Sequence, residues 1–135
     1  MKQISIEIIH KCPNNCLHCS SCSDLTCTMK LDTGKIFNII DSAKILNTEI
    51  ISISGGEPFL HEGLLDIVKY AKSQGIKIYL YTSGIIITSA NKIGSIEDKT
   101  FKALKDMNVD KIIFDLPAID EKIYDEFMGT TGYQK

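Results

Sequence analysis

Three thiols in one short run could do chemistry that nothing else in this chain could: Cys12-Pro13-Asn14-Asn15-Cys16-Leu17-His18-Cys19, a C-x3-C-x2-C spacing. All five cysteines lie between positions 12 and 27 of a 135-residue chain. A disulfide framework spreads its bridges to staple distant segments, and an odd, clustered set does not. Clustered thiols point instead to metal; the bland alternative is a set of incidental loop thiols. Structural zinc asks for four ligands closed into a tetrahedron. Three thiolates on one loop suit a cubane iron–sulfur cluster, holding three irons and leaving the fourth open to a small molecule. Asn14 and Asn15 tolerate the left-handed turns that wrap backbone around such a centre. Cys22 and Cys27 fall outside the triad. They are expected to be reduced bystanders, with a four-thiolate zinc site built from Cys16, Cys19, Cys22 and Cys27 as the alternative.

The elements that must position these thiols alternate strand and helix. Gln3–Ile9 reads as a strand, with Ile4, Ile6 and Ile8 alternating with Ser5 and Glu7. After the thiol loop, a helix is expected from Asp32 to Asn47, with Asp32 or Thr33 as N-cap and Ile36, Ile39, Ile40, Ala43 and Leu46 on one face. Glu49–Ser54 is a second strand, ended by Gly55-Gly56. Pro58 suits the first turn of the next helix, whose stripe would be Leu64, Leu65, Val68 and Ala71, closed by Gly75. Ile76–Thr82 is a third strand, and Ile85 to Ser95 reads as either a short strand or a packed loop. A helix over Glu97–Met107, with Phe101 and Leu104 inward, precedes a fourth strand, Val109–Leu116. A last helix begins over Asp120–Phe127.

A βαβαβαβα order demands a parallel sheet with right-handed crossovers, either doubly wound or part of a (βα) barrel. Four units are fewer than a full barrel uses, so a barrel reading implies an incomplete one. Polar residues alternate in three of the strands: Ser5/Glu7, Ser52/Ser54 and Tyr79/Tyr81. Strands buried on both faces would read as nearly continuous Val/Ile/Leu. Either one face meets solvent or the sheet curls around a polar cavity, and the residues at the strand ends favour the cavity. His10 and His61 are expected at the surface.

Composition narrows the class further. Apolar residues make up 44% and charged residues 24%, as in globular chains. Fifteen basic against seventeen acidic residues, spread along the chain, give a net charge of −2 and no nucleic-acid or anionic-membrane patch. Apolar runs are too short for a membrane span. Met1–Cys12 has no leader-like cleavage site, and a cytoplasmic location is expected.

With the C-x3-C-x2-C loop after the first strand, and Ser54-Gly55-Gly56-Glu57-Pro58 ending the second, the sequence resembles the radical S-adenosylmethionine (SAM) superfamily. The signature loop there is C-x3-C-x-Φ-C with an aromatic Φ, a place His18 occupies here. The resemblance implies an α/β fold, a partial TIM-like barrel of parallel (βα) units. This single domain over 1–135 would supply about four units of six.

It also implies that Cys12, Cys16 and Cys19 hold a [4Fe-4S] cluster whose open iron is chelated by SAM. Gly55, Gly56 and Glu57, followed by Pro58, would contact the methionine amino group. Glycines let backbone approach an ammonium closely, and Glu57 adds negative charge. Thr82-Ser83-Gly84 sits where the family often has a turn near the cofactor, and Asp115 where polar residues often meet the ribose. An ordinary β-turn and a helix-preceding acid are the competing readings of these two.

The implied activity is reductive cleavage of SAM to a 5′-deoxyadenosyl radical that abstracts hydrogen from a substrate. The implied partners are an electron donor such as flavodoxin or ferredoxin and a substrate that includes peptides among its candidates. The Ser54–Pro58 and Thr82–Gly84 wording resembles that of glycyl-radical activating enzymes, while Gly129-Thr130-Thr131-Gly132-Tyr133 resembles that of peptide-modifying ones. The fourth strand would leave an unpaired edge. The expectation is therefore a piece of a larger protein, or a subunit of an assembly that supplies the missing wall. Two other readings stay open: an iron–sulfur or zinc module without radical chemistry, and a half-barrel that acts only as a subunit.

Overall fold

The computed structural model describes residues 2–88 and 92–131. Strands β1 (Gln3–Glu7), β2 (Ile50–Ser54) and β3 (Lys77–Thr82) pair in parallel with each other and then with a strand late in the chain, Lys111–Phe114. Between β3 and that strand lies an antiparallel hairpin of β4 (Ile85–Ile87) and β5 (Ile93–Ser95), so the fourth strand of the sheet is β6. The helices are α1 (Thr33–Ile45), α2 (Leu64–Ser73), α3 (Asp98–Asp106) and α4 (Glu121–Met128).

Strand order β1-β2-β3-β6 follows chain order without reversal. A doubly wound sheet reverses at a switch point and covers both faces. With one direction of winding, right-handed crossovers put the connecting helices α1, α2 and α3 on the same side. Accordingly, Ile6, Ile53 and Leu80 stand in register across the sheet and join one core with Ile36 and Ile40 of α1, Ile67 and Val68 of α2, and Leu104 of α3. The opposite face carries the alternating polar set: Glu7 pairs with Ser54, and Ser5, Ser52 and Tyr79 share a row. Connecting helices on one side and a polar other side are the layout of a barrel wall, so the partial-barrel expectation fits.

Local chemistry explains the element ends. Asp32 is the N-cap of α1, its carboxylate accepting from Gly34 N at 2.8 Å and Lys35 N at 3.4 Å. Asp32→Ala is expected to lower stability by about 1 kcal/mol, measured by chemical denaturation. Gly75 takes φ +76° just past α2, the left-handed position glycine accepts. Asp120 caps α4 by accepting from Ile123 N at 3.0 Å.

Four expectations need correction. Pro58 does not open α2; it begins a separate 3-10 turn, Pro58–Leu60, and α2 starts six residues later at Leu64. The buried stripe of α2 is Leu64, Ile67, Val68 and Ala71, with Leu65 turned about 100° from Leu64 and exposed. Leu46 lies past the end of α1 and is also exposed. His61 is buried: its Nε2 lies 2.9 Å from the Leu31 carbonyl, and its Nδ1 accepts from Gly63 N at 3.0 Å. It ties the turn before α2 to the approach of α1. His10 is half-buried, 3.4 Å from Glu7. Of the segment from Ile85 to Ser95, residues 89–91 lie outside the described residues, as do Gly132 and Tyr133.

The β6 side of the sheet shows Phe114, Leu116, Ile119 and Ile123 to solvent. Phe101, expected inward, is half-buried in a row of rings between Phe59 and Phe114, at 6.2 and 6.3 Å.

Candidate metal centre

The C-terminal ends of the parallel strands open into a cleft of about 420 Å³. Cys12, Cys16 and Cys19 border it from the loop after β1, and Ser54, Gly55 and Gly56 border it from the end of β2. Thr82 and Ser83 come from the end of β3 and Asp115 from just past β6. The strand-end placement is what the parallel topology dictates, since ligand sites of such sheets form outside the carboxyl ends of the strands.

The thiol loop is irregular and must find partners for its amides elsewhere. Cys12 N donates to Asp24 O at 3.0 Å, Cys19 N to Cys16 O at 3.1 Å, and Ser23 N to the Cys19 Sγ at 3.3 Å. The Asp24 carboxylate in turn accepts from Thr26 N and Cys27 N at 2.6 and 3.1 Å, which folds the loop's second half back. Burial is the main cause that pushes the Cys12 thiol up to about 12. The Asn14 backbone N–H opposes it, and nearby negative charge from Glu57 and the other two thiols adds to it. The Cys16 thiol is pushed up to about 11, again by burial first and then by Cys19 and Asp115. Three thiolates this close repel one another, so a cationic core that binds all three would release their protons and supply the missing counter-charge.

Several features test whether the residues present fit such a core. The buried Asn14 Oδ1 and Ser23 Oγ border the cleft and have no hydrogen-bond partner among the described residues. Among the described residues, no three His, Cys, Asp or Glu side chains converge on a single-ion site. A tetrahedral zinc draws its thiolates to about 2.3 Å from one point. A cubane ties each thiolate to a different iron and accepts sulfurs set around its own width. Cys22 and Cys27 do not border the cleft; their sulfurs lie 3.9 Å from the carbonyls of Cys19 and Cys22. Cys12, Cys16 and Cys19 share the cleft while Cys22 and Cys27 lie away from it, an arrangement that suits a three-thiolate centre better than a site needing all of Cys16, Cys19, Cys22 and Cys27.

The glycine pair is placed by close backbone contact. Gly55 has φ +142°, and a Cβ on it would meet the Ile9 carbonyl. A Cβ on Gly56 would meet the carbonyls of His10 and Lys11. Gly56 N donates to Ile9 O at 2.6 Å and Glu57 N to Lys11 O at 2.9 Å, which fastens the β2 turn to the start of the thiol loop. Gly56→Ala is expected to cost about 1–3 kcal/mol, because the obstacle is backbone that cannot rotate away; denaturant titration measures it.

The other candidates divide. His18 and Asp115 come together, Nε2 to Oδ2 at 3.2 Å, and both border the cleft. Ser83 also borders it. Glu57 is fully buried and does not border it. Its Oε1 accepts from Thr82 Oγ1 at 2.7 Å and Phe59 N at 3.2 Å, and its Oε2 from Ser83 Oγ and N at 2.9 and 3.1 Å. The carboxylate thus binds the β2 and β3 turns to each other from behind. Pro58 is buried in the 3-10 turn beside it.

The sequence indicated α4 as a helix but not its place at the site. The helix's last residues, Phe127 and Met128, meet the thiol loop: Phe127 stacks on His18 at 4.8 Å, and Met128 Sδ lies 3.6 Å from Cys16 Sγ. No local pattern could have signalled a contact 112 residues apart.

The family model of the radical SAM superfamily matches residues 6–135. PqqA peptide cyclase of Methylocella silvestris is 30% identical over 127 residues, covering 93% of this chain and 32% of that protein. AdoMet-dependent heme synthase of Methanosarcina barkeri is 24% identical, covering 96% and 35%. The chain thus spans about a third of the length of these curated relatives. Streptococcus suis SuiB, solved bound to S-adenosylmethionine, superimposes with a TM-score of 0.75 at 20% identity, over 95% of this chain and 28% of that one. SuiB has also been solved with its precursor peptide SuiA. Thiol loop, glycine turn, one-sided winding and family match lead to one conclusion: this chain belongs to the radical SAM superfamily.

Proposed function

We propose that this chain is the cluster- and SAM-binding part of an enzyme that modifies a peptide or protein by hydrogen abstraction. The observation that carries the reading is the shared cleft: Cys12, Cys16 and Cys19 face the Ser54-Gly55-Gly56 turn across one cavity. Cys12, Cys16 and Cys19 would hold a [4Fe-4S] cluster. When bound, that cluster supplies one electron to the sulfonium of SAM, giving methionine and a 5′-deoxyadenosyl radical.

The chain's own residues do the rest. The Gly55 and Gly56 backbone, free of side chains, receives the methionine end of SAM, and Glu57 and Pro58 fix that turn from behind. His18, Ser83 and Asp115 border the same cleft and serve the nucleoside end, where Asp115 can accept from a ribose hydroxyl. The polar sheet face, with Glu7, Ser54 and Tyr81 at the cleft, orients the substrate.

A peptide substrate is supported by the similarity to PqqA peptide cyclase and to SuiB, solved with SuiA. A one-electron carrier such as flavodoxin or ferredoxin would reduce the cluster, in a cytoplasmic setting that keeps the thiols reduced.

The test is anaerobic incubation of the reconstituted protein with SAM and dithionite. Reductant-dependent 5′-deoxyadenosine is the expected product. A protein that carries the cluster and forms none would be a binding module or subunit instead.

A further inference from the structure

We propose that the C-terminal turn of α4, Phe127–Gly129, is the clamp that positions the middle of the thiol loop, with Met128 and Gly129 as positioning residues for Cys16. The inference rests on the reading of Cys16 as a cluster ligand. An α-helix ends with backbone carbonyls that have no partner inside the helix. At the end of α4, Thr130 N returns to Asp125 O at 3.1 Å, while the Phe127 and Met128 carbonyls point outward. They accept from Leu17 N and Asn15 N, each at 3.0 Å. Two orphan acceptors of a helix end thus meet two orphan donors of an irregular loop.

Side chains extend the match over four consecutive loop residues. Asn15 packs its backbone carbonyl against Gly129, at φ +62°, so closely that a Cβ there would collide with it. Cys16 Sγ lies 3.6 Å from Met128 Sδ, and His18 stacks on Phe127 with rings 24° apart. Met128 itself is fully buried. The other two thiols are held differently. Cys12 is anchored by Asp24, and Cys19 by the turn from Cys16 and by Ser23 N. Among the described residues, Cys16 is the one of the three placed by an element more than a hundred residues away. The fourth βα unit therefore belongs to the metal centre, as well as to the wall.

Gly129→Val tests this, because its branched side chain must push the clamp off Asn15 while leaving the buried face of α4 intact. Glu126→Ala, an exposed change on the same helix, is the control. Three readouts are compared: amide hydrogen exchange in the metal-free chain, iron loss to a chelator after anaerobic reconstitution, and the electron paramagnetic resonance spectrum of the reduced protein. Asn15 and Leu17 amides should be protected in the parent chain and in Glu126→Ala, and exchange freely in Gly129→Val. Iron should leave Gly129→Val about 10- to 100-fold faster, as when other supporting contacts of a metal ligand are lost, with an altered spectrum.

Amides that already exchange freely in the parent chain would overturn the clamp whatever the metal content. So would a Gly129→Val protein that keeps parental iron retention and spectrum. A parent chain that takes up no iron and sulfide would instead overturn the proposed function, and the exchange data would still decide the clamp.

Discussion

Serine in place of any one of Cys12, Cys16 or Cys19 is expected to drop the iron bound after anaerobic reconstitution from about four atoms per chain to nearly none. Serine keeps the size of the side chain and removes the soft thiolate that iron–sulfur clusters select. Two remaining thiolates cannot hold the cube, so the loss is all-or-none. Cys22→Ser and Cys27→Ser should keep full loading, because neither thiol borders the cleft. Iron and acid-labile sulfide assays on the five single variants read this out. Loss of iron in Cys22→Ser equal to that in Cys16→Ser would mean that the ligand set has been misassigned.

The second large effect is expected at Glu57. Removing its carboxylate in Glu57→Ala takes the acceptor away from the Ser83 amide, the Phe59 amide and two hydroxyls, the Thr82 hydroxyl fully buried and the others partly so. Unsatisfied buried donors put the loss on the order of 3 kcal/mol or more, measured by chemical denaturation. Glu57→Gln separates shape from charge. Burial, the largest influence, holds the Glu57 carboxyl above its ordinary value of 4.5, against the lowering effect of its four hydrogen bonds. A carboxyl with a raised folded pKa stabilises the fold fully below its unfolded pKa. That contribution is lost as pH rises through the folded pKa. Glutamine does not ionise. The stability of the parent chain relative to Glu57→Gln should therefore fall as pH is raised above about 4.5. A relative stability that rises over the same window would show that the donors outweigh burial.

The sheet was legible in the sequence because its two faces meet different surroundings. In β1, Ile4, Ile6 and Ile8 alternate with Ser5 and Glu7, since helices cover one side and a polar cavity the other. Asp32 was legible as a cap because its carboxylate acts within three residues of itself. Winding direction was not. Doubly wound and barrel-like sheets share a βα alphabet and differ only in strand order. The start of α2 was misread because Pro58 is equally at home in a 3-10 turn; separately, Ile67 rather than Leu65 falls on the buried face, as about 100° per residue requires.

Within the site, the thiol triad and glycine pair were visible as short motifs. What each motif touches was not. Glu57 carries a charge that local reading sends toward a ligand, yet four donors from three residues hold it behind the turn. His61 reads as a surface residue because its partner, the Leu31 carbonyl, lies 30 positions away. The same distance in sequence, enlarged, hides the contact of α4 with Cys16.

An anaerobic spectrum of the reduced protein, taken with and without SAM, tests the central claim most directly. Three thiolates leave one iron without a protein ligand, so added SAM should change the paramagnetic resonance signal of a sample carrying about four irons per chain. A cluster of that size whose signal SAM leaves untouched would contradict the account, as would zinc bound without labile sulfide.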